Sequence, residues 1–182
     1  MVTQMRLTLQ QFLAMPDIDE RRLELIDGEV YKKVSPRWGH ARLAIELGLA
    51  LRPFGHVGAE PRAIVPGAPA HGPSAPLPDL ALYRDAPPKS AEWMTQPPDL
   101  VVEFLSIGQS RSEVRTKVDV YLTFGVRTVW VFDTERESVD VYEGGNRLTA
   151  STDDILTGLA VPGFAKRVDE IYRDAGYEPA DS

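Results

Sequence analysis

The sequence predicts an α/β (α+β) fold, a mixed β-sheet flanked by helices with an N-terminal β-hairpin, and three observations carry that prediction. Asp27-Gly28 separates two alternating runs, "RRLELI" and "EVYKKV", and Asp-Gly between such runs is a strong short-range hairpin signal. Two apolar segments, "LVVEF" and "RTVWVFD", read as strands. Apolar positions at helical spacing fill the stretches between and before the strands, so helices cover the sheet.

Each element follows in order. "LTLQQFLAMPD" reads as a short helix with Thr8 as its cap and Pro16 just past its end. The hairpin comes next. Leu43, Leu47, Ala50 and Leu51, flanked by Ala44 and Ile45, recur at helical spacing over residues 38 to 53, and Pro53 fits the end of that helix. Residues 54 to 78, rich in Pro, Gly and Ala, read as a loop over a sheet edge because the strand-like "PDLALYRD" follows at once. "APPKSAEWMTQPP" is a second loop before the strand that begins at Leu100. A helix is expected from about Ser110 to Phe124, with Gly125 where a C-cap belongs. "RTVWVFD" is a strand, and "ESVDVYEGG" alternates, ends in Gly-Gly and pairs beside it as a hairpin. "LTGLAVPGFAKRVDEIYRDAG" closes in a short amphipathic helix. No internal repeat interrupts this order.

The 182 residues fit one compact domain, residues 1–182, with a real core. Hydrophobic residues at 43% and charged residues at 26% are an ordinary globular balance, which argues against a disordered chain. No apolar run is long enough to span a bilayer, and the first residues lack the apolar stretch of a signal peptide. With no cysteine there is no disulfide framework and no thiolate metal site. A cytoplasmic protein is the simplest expectation. The net charge of −7 argues against coating nucleic acid through an overall field but leaves room for a local basic groove. Lys32, Lys33, Arg37 and Arg42 form one basic cluster, and Arg111, Arg115 and Lys117, opposed only by Glu113, form another. On charge alone both read as solvated faces.

The chemical anomaly is Glu103. A carboxylate inside a buried strand costs several kcal/mol unless it is paired or bound to a metal. Asp79 and Glu103 each lie in a strand-like segment opened by a Pro-Asp pair, Pro78-Asp79 and Pro98-Asp99. If those strands are neighbours, the two carboxylates meet at one edge of the sheet. Close carboxylates raise each other's pKa, and a hard divalent cation relieves the conflict, since Mg²⁺ is commonly held by one or two carboxylates plus waters. Lys117 falls in the second turn of the following helix, where a strand-to-helix return brings it back toward Glu103. Taken singly, each residue has a simpler account: Asp79 as a turn residue, Glu103 as half of a structural salt bridge, and Lys117 as a solvated helix residue.

The ordered set of segments resembles the PD-(D/E)XK nuclease superfamily, and within it the Uma-type family of restriction endonucleases. The matching segments are "LELIDGE" at residues 23–29, His40 after "SPRWG", Pro78-Asp79, "PPDLVVEFLS" at 97–106, Lys117 with Tyr121, "GVRTVWVFD" at 125–133 and "VPGF" at 161–164. The resemblance implies a restriction-endonuclease-like fold, Asp79 and Glu103 as metal ligands, and Lys117 as the catalytic lysine. The lysine that the superfamily places two residues after the second acid is Leu105 here; the Uma-type family is similar in moving it to the next helix. The proline that usually follows the strand serine is Ile107.

On this reading the protein is a metal-dependent endonuclease hydrolysing DNA. Mg²⁺, with Mn²⁺ as a substitute, sits on Asp79, Glu103 and the Phe104 carbonyl, and Lys117 orients the water. Glu29 is either a cross-strand partner in the hairpin or a further acid at the site. Glu46 and, with a weaker claim, Glu24 are its rivals as accessory acid. His40 is a minor candidate, since such a histidine more often caps or packs, and Tyr121, one turn after Lys117, is expected mainly to pack. Trp38, Trp93 and Trp130 are assigned to core or loop packing. Cutting both strands of a duplex favours a homodimer. The alternative is a catalytically silent module of the same fold that binds nucleic acid or protein, because fold alone does not establish activity.

Overall fold

The computed structural model describes residues 6–67, 72–105 and 110–177. Within them, a six-stranded mixed sheet carries helices on both faces, and a separate antiparallel hairpin precedes it. Helix α1 (Leu9–Leu13) starts at Thr8, whose hydroxyl accepts from the Gln11 N–H while the Gln11 side chain accepts from the Thr8 N–H. This reciprocal capping box satisfies two donors that a free helix end leaves open. Strands β1 (Leu23–Ile26) and β2 (Glu29–Lys32) form the hairpin, with Asp27 and Gly28 at φ 51° and 81°. Two successive residues at positive φ match the right-handed twist of the strands, which is why Asp-Gly closes them.

Helix α2 (Trp38–Leu51) buries Leu43, Leu47 and Leu51, and Pro53 lies in the 3₁₀ turn Arg52–Phe54 that ends it. The main sheet is built from β3 (His56–Ala59), β4 (Leu80–Tyr83), β5 (Leu100–Phe104), β6 (Thr128–Asp133), β7 (Ser138–Glu143) and β8 (Asn146–Ala150), in that spatial order. Only the β5–β6 pair is parallel, and α3 (Arg111–Phe124) makes the crossover between them. Ser110 and Glu113 cap α3 reciprocally, and Gly125 closes it at φ 109° in the left-handed region. Beyond β8 lie two short strands, β9 (Ile155–Leu156) and β10 (Lys166–Arg167), and helix α4 (Val168–Asp174).

The stretch from residue 54 to 78 departs from the loop expected there. Its first part is the edge strand β3, which pairs with β4 along its whole length. Its composition, His-Val-Gly-Ala, shows no alternation, because an edge strand half exposed on both faces needs none.

Alternation along β5 sorts the core into two layers. Leu100, Val102 and Phe104 pack with Leu43, Leu47, Trp130 and Tyr172 on the α2 and α4 side. Val101 packs with Val114, Val118, Tyr121, Val129 and Val131 under α3. Glu103 is two residues from Val101 and therefore points into the α3 layer. Trp130 is buried in the core as expected, whereas Trp38 is 81% exposed at the start of α2.

Candidate active site

The register of β4 against β5 decides where the two acids stand. Leu80 faces Val102, Ala81 faces Val101 and Leu82 faces Leu100. Continued one step, this register sets Asp79 opposite Glu103, so both carboxylates leave the same face of the sheet. One step further, Pro78 stands opposite Phe104. Proline has no N–H to give to the Phe104 carbonyl. The Phe104 N–H donates to the Asp79 carboxylate, to Oδ2 at 2.7 Å.

Helix α3 supplies the lysine. Val114, Lys117, Val118 and Tyr121 form its buried stripe, at the spacing that brings one helix face onto the sheet. Lys117 Nζ lies 2.9 Å from Glu103 Oε1 and 2.8 Å from Glu24 Oε1. Tyr121, one turn on, donates its hydroxyl to the same Glu103 oxygen at 2.5 Å. The Leu77 N–H donates to Glu24 at 2.6 Å, and the Leu77 carbonyl accepts from Lys33 Nζ. Lys33 Nζ also lies 2.7 Å from Asp79 Oδ1. Three carboxylates and two ammonium groups therefore share one network, in which Glu24, Glu103 and Lys117 are each at most 7% exposed. They line a cavity of about 380 Å³ together with Tyr31, His40, Phe104 and Glu113.

The surroundings set the charges. Burial pulls the Lys117 ammonium down, but Glu103, Glu24 and Asp79 outweigh it and the net shift is upward, so Lys117 stays charged. Burial pushes the Asp79 carboxyl up; Lys33, Lys117 and the Phe104 N–H more than offset it, and Asp79 is held below the ordinary aspartate value. For Glu103 burial prevails: against the pull of Lys117 and Lys33, and helped by Asp79 and Glu24, its carboxyl is pushed up to about 7. Burial also lowers His40, whose ring nitrogen meets the Thr134 hydroxyl at 3.2 Å.

The candidates named from the sequence fall into two groups. Asp79, Glu103, Lys117, His40 and Phe104 line the cavity. Glu29 and Glu46 do not. Glu29 stands opposite Ile26 in the hairpin register, and its carboxylate accepts from the Tyr31 hydroxyl at 2.9 Å along the same strand and does not line the cavity. Glu46 pairs with Arg42 on α2 at 3.3 Å. The acid brought to Lys117 is Glu24, which the sequence had ranked below both. Its position in "LEL" repeats the anomaly of Glu103, an acid between buried apolar neighbours. The two basic clusters are not wholly solvated either: Lys33 and Lys117 turn inward while Lys32, Arg37, Arg111 and Arg115 stay exposed. Tyr121 both packs and hydrogen-bonds at the site. Ser106 and Ile107 lie outside the described residues.

The donor set suits a hard divalent ion. Asp79, Glu103 and the Phe104 carbonyl offer only oxygen, and Mg²⁺ is commonly held by one or two carboxylates with waters filling the rest. Among the described residues no group of three or more His, Cys, Asp or Glu side chains is arranged to hold a metal. An ion here would therefore complete its shell with water and main chain.

Comparison with known proteins points to one family and to solved structures of similar fold. The profile of the Uma2 family, described as "Putative restriction endonuclease", matches residues 9–169. A solved structure described as that of "a putative nuclease belonging to DUF820 from Anabaena variabilis" is similar in fold. It covers 93% of this chain and 99% of its own with a TM-score of 0.80, at 20% identity. No curated protein matches the chain in sequence.

Proposed function

The chain belongs to the Uma2 family, and on that premise we propose that it is a metal-dependent endonuclease hydrolysing DNA phosphodiester bonds. One observation carries the reading: Asp79 and Glu103 face each other across β4 and β5, on one side of the sheet, with Lys117 at 2.9 Å from Glu103 inside an open cavity.

Each residue has a part that its geometry supports. Asp79 and Glu103, with the Phe104 carbonyl, would hold Mg²⁺ or Mn²⁺. A bound divalent ion supplies a nucleophilic water at neutral pH and stabilises charge on the phosphate. Lys117, kept charged by its carboxylates, orients that water and faces the developing charge on the phosphate oxygens. Glu24 holds the lysine together with Glu103, and the Tyr121 hydroxyl holds Glu103. His40, neutral at pH 7, lines the wall of the cavity. Cleavage of both strands of a duplex implies two such sites and hence a homodimer.

The test is nicking of supercoiled plasmid with Mg²⁺ or Mn²⁺ beside an EDTA control, run with light scattering for the oligomeric state. Metal-dependent nicking that Asp79→Asn abolishes supports the proposal. Ion binding by calorimetry without cleavage of any DNA or RNA offered would replace it with a silent binding module.

A further inference from the structure

Lys33 has no part in the reaction just described, yet it is the cation in contact with Asp79. Its Nζ lies 2.7 Å from Asp79 Oδ1, donates to the Leu77 carbonyl, and reaches Glu60 at 3.8 Å. The main chain holds the residue in place, since the Lys33 N–H donates to the Arg22 carbonyl at 2.9 Å. Asp79 Oδ2 accepts from the Phe104 N–H at 2.7 Å. Both oxygens of Asp79 are therefore engaged by donors of the protein itself.

We infer that Lys33 is a built-in, exchangeable counter-cation of the ion site, which competes with a divalent ion for Asp79 Oδ1 and gives way as the ion binds. The inference rests on the metal-dependent reading above. Its physical basis is direct. An ammonium 2.7 Å from a carboxylate oxygen occupies one of its lone pairs and sets a positive charge beside the place of a divalent ion, so the two cations repel each other and compete for that oxygen. The charge of Lys33 keeps the empty site from accumulating the repulsion of Asp79, Glu103 and Glu24, and lowers the affinity of the site for a competing ion. Lys33 thus acts on the ion through Asp79 and is a positioning residue.

The experiment is titration of Mn²⁺ alone, by calorimetry, into wild type, Lys33→Gln and Lys33→Arg, with no nucleic acid present. Lys33→Gln is expected to bind at least about tenfold more tightly, while Lys33→Arg, which keeps the charge, stays within about threefold of wild type. Metal-free Lys33→Gln should also melt lower than wild type and regain its Tm in saturating Mn²⁺. Equal or weaker binding by Lys33→Gln with wild-type binding intact overturns the role of Lys33 and leaves the metal-dependent reading standing. Failure of both proteins to bind overturns both. Tighter binding by Lys33→Gln, with no plasmid nicking by wild type, supports the counter-cation and removes the nuclease. Should Lys33→Gln not fold, the wild type decides: the Lys33 ammonium resonance in lysine-labelled protein, assigned by its absence from Lys33→Arg, must shift or vanish as Mg²⁺ saturates. An unmoved resonance overturns the proposal.

Discussion

Arg62 and Lys117 are both cations folded into the interior, at 4% and 5% exposure, and they are used in opposite ways. The Arg62 guanidinium donates to the Leu23 and Ala75 carbonyls at 2.8 and 3.2 Å and to Asp19 Oδ1 through both Nε and Nη2, and it lies 5.5 Å from the centre of the Phe12 ring. Its planar fork ties α1, the hairpin and the segment beside Ala75 into one unit, and its main-chain partners cannot be lost without unfolding that unit. Among the described residues Lys117 meets the side-chain carboxylates of Glu24 and Glu103, and those carboxylates line a cavity. The two cations are equally buried, and what separates them is the kind of partner and the open space next to Lys117.

Lys117→Met offers the sharpest break in that contrast. It leaves Glu24 and Glu103 buried without their cation, so metal-free stability should fall by about 3–5 kcal/mol in urea denaturation. Saturating Mn²⁺ should recover part of the loss, because the ion then faces the same acids. Plasmid nicking should fall by about two orders of magnitude or more even under those conditions, as when one charge-stabilising donor is removed. A variant that nicks as fast as wild type would take Lys117 out of the mechanism.

Arg62→Met should destabilise the fold without touching the chemistry. The buried Leu23 carbonyl loses its Arg62 donor, the Ala75 carbonyl keeps the Leu25 N–H at 3.3 Å, and Asp19 is exposed enough to return to water. A loss of about 1–3 kcal/mol is expected, unaffected by Mn²⁺, with nicking per folded molecule unchanged. Rescue of Arg62→Met by Mn²⁺ would erase the distinction between the two cations.

A smaller effect reads the charge of Glu103 directly. Its folded pKa is raised, so between the ordinary glutamate value of 4.5 and about 7 the folded protein holds more protons than the unfolded chain. In that window stability contributed by this group falls as pH rises, and above it the contribution is constant. In EDTA, Glu103→Gln should therefore lose part of the decline in Tm that wild type shows from pH 4.5 to 7. Parallel melting curves for the two proteins across that range would mean Glu103 is ionised throughout.

Much of this was legible in the sequence, and the parts that were not have physical reasons. Asp27-Gly28, Thr8 as a cap, the start of α3 near Ser110 and Gly125 as its end are local signals whose geometry is fixed within a few residues, and each formed where it was read. The pairing of Asp79 with Glu103 needed the further fact that β4 and β5 are antiparallel neighbours. No local signal gives that, and it came from the ordered resemblance. β3 was invisible because an edge strand needs no alternation. Lys33 was missed although its signal was present. On β2 the exposure alternates from Glu29 to Lys32, so of two consecutive lysines at the strand end one must face inward. The same period puts Tyr31 and Lys33 on the side that faces the cavity.

The smallest expected effect tests whether distance or surroundings governs the comparison. Arg147 Nη2 lies 2.8 Å from Asp140 Oδ2, the same separation as Lys117 from Glu24. This pair sits on β7 and β8 at the far edge of the sheet, where Arg147 is exposed and also lies over the Tyr142 ring at 5.7 Å. Asp140 keeps a second donor, the Thr149 hydroxyl at 2.6 Å. Arg147→Ala therefore strands nothing: water reaches Asp140 as the guanidinium leaves, and salt already screens the attraction. The loss should be about 0.2–1 kcal/mol, shrink further in 1 M NaCl, and leave nicking unchanged. Urea denaturation at low and high salt measures it. A loss approaching that of Lys117→Met would mean that contact geometry, identical in the two pairs, outweighs burial, and the contrast between interior and surface charges in this molecule would have to be given up.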